Sequence, residues 1–156
     1  MSLNNVKALI FDVFGTVVDW RNSIANETAG MLKPKGYDLD WHAFADAWRQ
    51  RYQPAMEEVR SGKRPFTKLD VLHRENLEAI LPDFGISDIS ISELDHLNRA
   101  WHRLSPWPDA KVGLTRLKGK FIIATQSNGN VALMVNMAKN AGLPWDTILG
   151  AEVCQA

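Results

Sequence analysis

Residues 6–11 (VKALIF) are apolar except for Lys7, and the run stops at Asp12. A short apolar run bounded by turn residues predicts a buried strand, and Gly15-Thr16 supplies the turn. Polar positions then open a helix near Asn22 or Ser23, which Pro34 and Gly36 end. Asp40 predicts the N-cap of a long helix. Its apolar positions are Trp41, Phe44, Ala45, Trp48, Tyr52, Ala55, Met56 and Val59, close to helical spacing. Ser61-Gly62 closes that helix. Thr67 with Asp70 resembles a capping box, opening a helix to Leu81, where Pro82 stops it. Ser92 with Asp95 repeats the signal before Leu94, Leu97 and Trp101. After Pro106 and Pro108, a short helix is expected over 109–118, ending at Gly119. Residues 120–125 (KFIIAT) form the second clear strand pattern, followed by the turn-like Gln126-Ser127-Asn128-Gly129. A helix over 130–141 should end at Gly142, and a third strand is expected at 147–150.

The last section alternates strand, helix, strand, which predicts a parallel sheet. A crossover between parallel strands needs only a dozen or so residues. Here everything from Asp12 to Gly119 separates the first two strands, and it reads as helices. The expected architecture is therefore α/β: a Rossmann-like parallel-sheet core, incomplete, with an inserted α-helical cap. The core is expected from 1–20 and 106–156, and the cap from 21–105. Open parallel sheets bind ligands beyond the carboxyl ends of their strands. Asp12 ends one strand, and Ser127 and Asn128 follow another. If the strands are neighbours, the three side chains converge on one crevice.

Composition narrows the partners. Lys+Arg and Asp+Glu balance at 18 each, so nothing suggests nucleic acid or an anionic membrane surface. No apolar run approaches ~18 residues, so no membrane span is expected. The apolar stretch near the amino terminus is broken by Lys7, so a secretory signal is not expected. The one cysteine, Cys154, permits no internal disulfide and fits a reducing cytoplasm. His42, His73, His96 and His102 form no His-x-x-x-His pair with a partner acid; they read as surface or cap residues, and no metal site is expected. The six tryptophans read as packing residues.

On its own Asp12 is either a turn acid or a nucleophile. Gly15 allows a backbone conformation that other residues resist, and Thr16 offers a hydroxyl nearby. A carboxylate fixed at a strand end can act as a nucleophile. The Ser-Asn-Gly turn is more often structural than functional.

The two loops together carry a family resemblance. FDVFGTVVD at 11–19 resembles motif I of the haloacid dehalogenase superfamily, an Asp-x-x-Gly-Thr loop with the nucleophile first. IIATQSNGN at 122–130 resembles motif II, whose Ser or Thr follows the second core strand. The insert matches the helical cap of that superfamily. Within it, AWRQRY at 47–52 resembles a stretch of the type II enzymes, the L-2-haloacid dehalogenases.

This resemblance implies hydrolysis of short 2-haloalkanoic acids to 2-hydroxy acids. Asp12 attacks the halogen-bearing carbon, forms an ester, and water cleaves that ester at the Asp12 carboxyl carbon. Thr16 orients the loop. Val13 and Phe14 line the substrate site, with backbone N–H groups after Asp12 contributing. Ser127 and Asn128 hold the substrate carboxylate, and Arg49 receives the halide. By spacing alone, Arg49 is one of several solvated cap arginines.

Phosphatases of the superfamily usually carry a second Asp two places after the nucleophile. Phe14 stands there and can transfer no proton. Halide is already a weak base and leaves without one. No cofactor is then required; Mg²⁺ enters only under a phosphatase alternative. Type II enzymes more often have Tyr at this position.

In type II enzymes a lysine, usually in Tyr-Lys-Pro, follows a stretch like ILGAEVCQA, and a Ser-x-Asn-x-x-Asp loop comes later. Neither lies within these residues. The expectation is a chain truncated at its C-terminus, with little activity alone. A non-catalytic association module is the alternative. The first strand is expected to lie at an exposed edge, a template for pairing with another chain, so a homodimer or other self-association is expected.

Overall fold

The computed structural model describes residues 5–154. The chain divides into two compact units. One runs up to Trp20 and again from His102; the other is Arg21–Trp101.

The first unit contains a three-stranded parallel sheet, β1 (Ala8–Phe11), β4 (Ile122–Ser127) and β5 (Thr147–Gly150), in the order β1-β4-β5. Its register pairs Phe11 with Thr125, and Ser127 with Gly150. All three strands therefore end along one edge. A second, antiparallel ribbon joins β2 (Val18–Asp19) to β3 (Ser105–Pro106). It flanks the points where the chain leaves this unit and returns. Strands of two residues are too short to show an alternation, and the sequence does not predict them. Helices α6 (Ala110–Lys118) and α7 (Val131–Ala141) lie in the crossovers. Successive right-handed crossovers in one direction put both helices on the same face. On that face Ile123 and Thr125 are fully buried, with Leu114, Leu133, Met134 and Met137. The alternate residues Ile10 and Ile122 are more than half exposed. The strand expected at 120–125 sits two residues later, at Ile122–Ser127, so Ser127 closes a strand rather than lying in a turn. A four-residue helix, α8 (Ala151–Cys154), follows β5 directly.

The second unit is helical: α1 (Trp20–Leu32), α2 (Trp41–Gln50), α3 (Tyr52–Arg60), α4 (Leu69–Ile80) and α5 (Ile91–Asn98). Phe44, Trp48, Leu72, Leu77, Ile80, Leu97 and Trp101 are almost wholly buried. Asp40 caps α2 as expected, accepting from the His42 and Ala43 N–H groups at 3.0 and 2.9 Å. The single long helix expected from Trp41 to Val59 is two helices. Pro54 has no N–H to give the Gln50 carbonyl, and its ring would collide with it. The chain turns at Arg51 and restarts.

Neither expected capping box forms as read. The Thr67 hydroxyl turns back to the Pro65 carbonyl at 2.9 Å and accepts from Arg64 Nε at 3.0 Å, and α4 starts after Lys68. The second box is real but belongs to Ser90 and Glu93, two residues before Ser92 and Asp95. His73 is buried within the helical unit, and His102, buried too, lies in the first unit rather than on the surface or in the cap, with Nδ1 3.0 Å from the Asn136 amide.

The Ser90–Glu93 box gives this unit an acid dependence. The Ser90 main-chain N–H, then Lys35, then the Ser90 hydroxyl hold the Glu93 carboxyl down to about 2, from an ordinary value of 4.5. Lys35 Nζ is 2.9 Å away and Ser90 N 2.7 Å. A depressed carboxyl pKa contributes stability above the unfolded value and loses it as pH falls through the folded one. Wild-type stability is therefore expected to drop more steeply than that of Glu93→Gln between pH 4.5 and about 2. Parallel acid-unfolding curves for the two proteins would refute this.

Candidate active site

Asp12 stands one residue beyond β1, exposed at the strand-end edge. The loop that follows is built by its own backbone. Val17 N and Val18 N both donate to the Val13 carbonyl, at 2.9 and 3.2 Å, and Gly15 N donates to the Val18 carbonyl at 3.0 Å. This closure puts Gly15 at φ +90°, where a side chain would be strained. Thr16 Oγ1 donates to Asp12 Oδ2 at 2.8 Å. The hydroxyl fixes one carboxylate oxygen to the loop. The Val13 side chain is fully buried, so only its main chain can meet a ligand. Phe14 is half-buried and bridges to Val18.

A residue the sequence did not single out steadies the loop from outside. Trp107 N donates to the Val17 carbonyl, and its indole Nε1 donates to the Gly15 carbonyl, both at 3.0 Å. Its position between two prolines gave no sign of this reach along the chain.

The neighbouring strand end carries the second group. Register places Ser127 two residues beyond the partner of Phe11, so Asp12 and Ser127 emerge from adjacent parallel strands on the same edge. Ser127 is buried, and its Oγ has no hydrogen-bond partner among the described residues. A buried hydroxyl without a partner is costly unless a ligand or water completes it. Asn128 next to it is exposed. Below them Thr125, fully buried, ties β4 to β5: its hydroxyl donates to the Leu149 carbonyl at 2.9 Å and accepts from Leu149 N at 3.1 Å.

Arg49 belongs to the helical unit. It lies in the last turn of α2, partly exposed, with its guanidinium 4.1 Å above the Tyr52 ring. Stacking of this kind holds a planar cation in one orientation.

A parallel sheet with an acid ending one strand and a hydroxyl ending the next, interrupted by a helical insert, is the arrangement of the haloacid dehalogenase fold, and solved structures similar to the chain have that fold. The solved structures the chain is similar to include L-2-haloacid dehalogenases, the type II kind. It matches a defluorinating L-2-haloacid dehalogenase with TM-score 0.94 and 51% identity, over 97% of this chain and 63% of that one. A second L-2-haloacid dehalogenase matches with TM-score 0.91 and 43% identity, over 97% of this chain and 64% of that one. The enzyme from Xanthobacter autotrophicus, solved with chloropropionic acid covalently bound, matches with TM-score 0.82 and 25% identity, over 97% of this chain and 59% of that one. The chain thus spans less than two thirds of the length of these proteins. No protein-family model matches it, and no curated protein does. The resemblance first carried by the two loops is borne out along nearly the whole of the described chain.

Proposed function

We propose that the protein takes part in hydrolytic dehalogenation of short 2-haloalkanoic acids, with Asp12 as nucleophile. The observation that supports this best is the Asp12 carboxylate at the end of β1, tethered by Thr16, with Ser127, whose hydroxyl has no hydrogen-bond partner among the described residues, at the end of the adjacent strand. Asp12 attacks the carbon bearing the halogen from behind; the carbon–halogen bond breaks and halide leaves with the bonding pair. The resulting ester is cleaved by water at the Asp12 carboxyl carbon. That step releases a 2-hydroxy acid of inverted configuration and restores the carboxylate. The substrate carboxylate is held by Ser127 Oγ and Asn128, and the proposal keeps Arg49 as acceptor of the departing halide. Phe14 supports the absence of a phosphatase step, because it can hand no proton to a leaving alkoxide. The reaction proposed needs no metal.

The test is incubation with 2-chloropropionate. A propionate unit on Asp12 seen by peptide mass mapping, with only slow halide release from this chain alone, is the expected result. Magnesium-dependent hydrolysis of p-nitrophenyl phosphate without either would replace this reading with the phosphatase one.

The proposal extends to location and assembly. A single exposed cysteine supports a cytoplasmic setting; among the described residues no helix is long and apolar enough to cross a membrane. Among those residues β1 pairs only with β4, and Ile10 on it is 59% exposed. Unpaired edges recruit other strands, and the proposal is a homodimer formed there. Sedimentation should show a dimer that Ile10→Lys dissociates; a monomer at high concentration would end this part of the proposal.

A further inference from the structure

Helix α7 begins just after Ser127, the last residue of β4, and the short turn that carries Asn128. Its N-cap residue, Asn130, makes no side-chain capping bond. The cap comes from elsewhere: Glu152 Oε2 accepts from Val131 N at 2.6 Å. Glu152 sits in α8, beyond the end of β5, so this bond ties two neighbouring strand ends together across the loop.

A second feature of the same corner points the same way. Gly150 is paired with Ser127. A Cβ on it would lie 2.5 Å from the Ser127 carbonyl oxygen and 2.9 Å from that of Gly129. Both are backbone atoms with no flexible side chain to yield. Only glycine lets the corner seat this tightly under the loop.

We infer that Glu152 is a positioning residue: it holds the β4 end at Ser127 and the turn at Asn128 against the corner that Gly150 allows. A carboxylate at a helix N-terminus satisfies an N–H that otherwise lacks a partner and complements the helix dipole. It also neutralises that end of α7, so the dipole is engaged by an internal anion. An incoming carboxylate is then left to Ser127 Oγ and Asn128. The link to a substrate rests on the dehalogenation reading above; the link to the loop does not.

The experiment uses the full chain with Glu152→Gln and Glu152→Ala, read by amide hydrogen exchange and by 2-chloropropionate kinetics. Charge-assisted bonds are among the stronger ones. The Val131 amide and those of residues 127–129 should exchange roughly tenfold faster in Glu152→Ala. Glu152→Gln, which keeps an acceptor without the charge, should fall between it and wild type. Ile123 and the loop after Asp12 should be unchanged. KM should rise about tenfold with a smaller change in kcat. Unchanged exchange at Val131, or faster exchange spread evenly over the whole unit, overturns the inference. A fall in kcat at constant KM overturns its substrate half. If wild type neither releases halide nor forms the ester, the dehalogenation reading fails, and the exchange pattern still decides the role of Glu152.

Discussion

Asp12→Asn is expected to abolish the ester and, with it, the slow halide release of this chain. The amide has the shape of the carboxylate but neither its charge nor its nucleophilic oxygen. The substitution is otherwise mild. Asp12 is exposed, and an Asn carbonyl can still accept the 2.8 Å bond from Thr16. The backbone closures of the loop, from Val17 and Val18 to Val13 and from Gly15 to Val18, do not involve the side chain. Stability should therefore change by no more than about 0.5 kcal/mol, as for an ordinary surface position. The pairing of a large chemical effect with a negligible structural one is what marks a nucleophile rather than a turn acid. Mass spectrometry after incubation with 2-chloropropionate reads the first step, and ion chromatography reads halide. A propionate adduct that persists in Asp12→Asn, or that maps to another residue, would remove Asp12 from the mechanism.

The loop around Asp12 was legible because its determinants are local. An apolar run, an acid, and a Gly-Thr pair lie within a few residues, and the φ of Gly15 follows from that closure. The same holds for α7, whose end at Gly142 has a positive φ, and for β5. Where the structure departs from the sequence pattern, a stronger local rule governs or the partner is remote. Pro54 divides the expected long helix because a proline cannot share the i−4 bond with Gln50. Ser90 outcompetes Ser92 because only Glu93 can reach back from the third position to the Ser90 N–H. The contacts of Trp107 with Gly15 and of Glu152 with Val131 join residues far apart in sequence. No spacing rule reaches across such distances. Ser127 was identified as a residue, but its burial without a partner is visible only once β4 is placed between β1 and β5.

The largest stability effect is expected in the helical unit, at the residue before Arg49. Trp48 is 1% exposed and meets three rings edge-on: Phe44 at 6.3 Å, His73 at 6.4 Å and Trp101 at 5.5 Å. Its indole N–H donates to the His73 carbonyl at 2.9 Å, joining α2 to α4. His73 in turn stacks on Trp101 at 4.3 Å. Trp48→Ala removes the hub of this cluster and leaves a cavity that fixed helices cannot close. The expected loss is about 3–5 kcal/mol. Trp48→Phe restores most of the volume but gives up the indole bond to the His73 carbonyl, so about 1 kcal/mol should still be lost. Because the chain has two compact units, a single unfolding curve would mix them. Amide exchange separates them: in Trp48→Ala the Leu72 and Leu77 amides should lose roughly a hundredfold or more in protection, while Ile123 and Thr125 keep theirs. Equal loss in both units would mean that Trp48 supports the whole chain rather than the unit that carries Arg49. A loss below about 1 kcal/mol would mean that the cluster collapses around the gap.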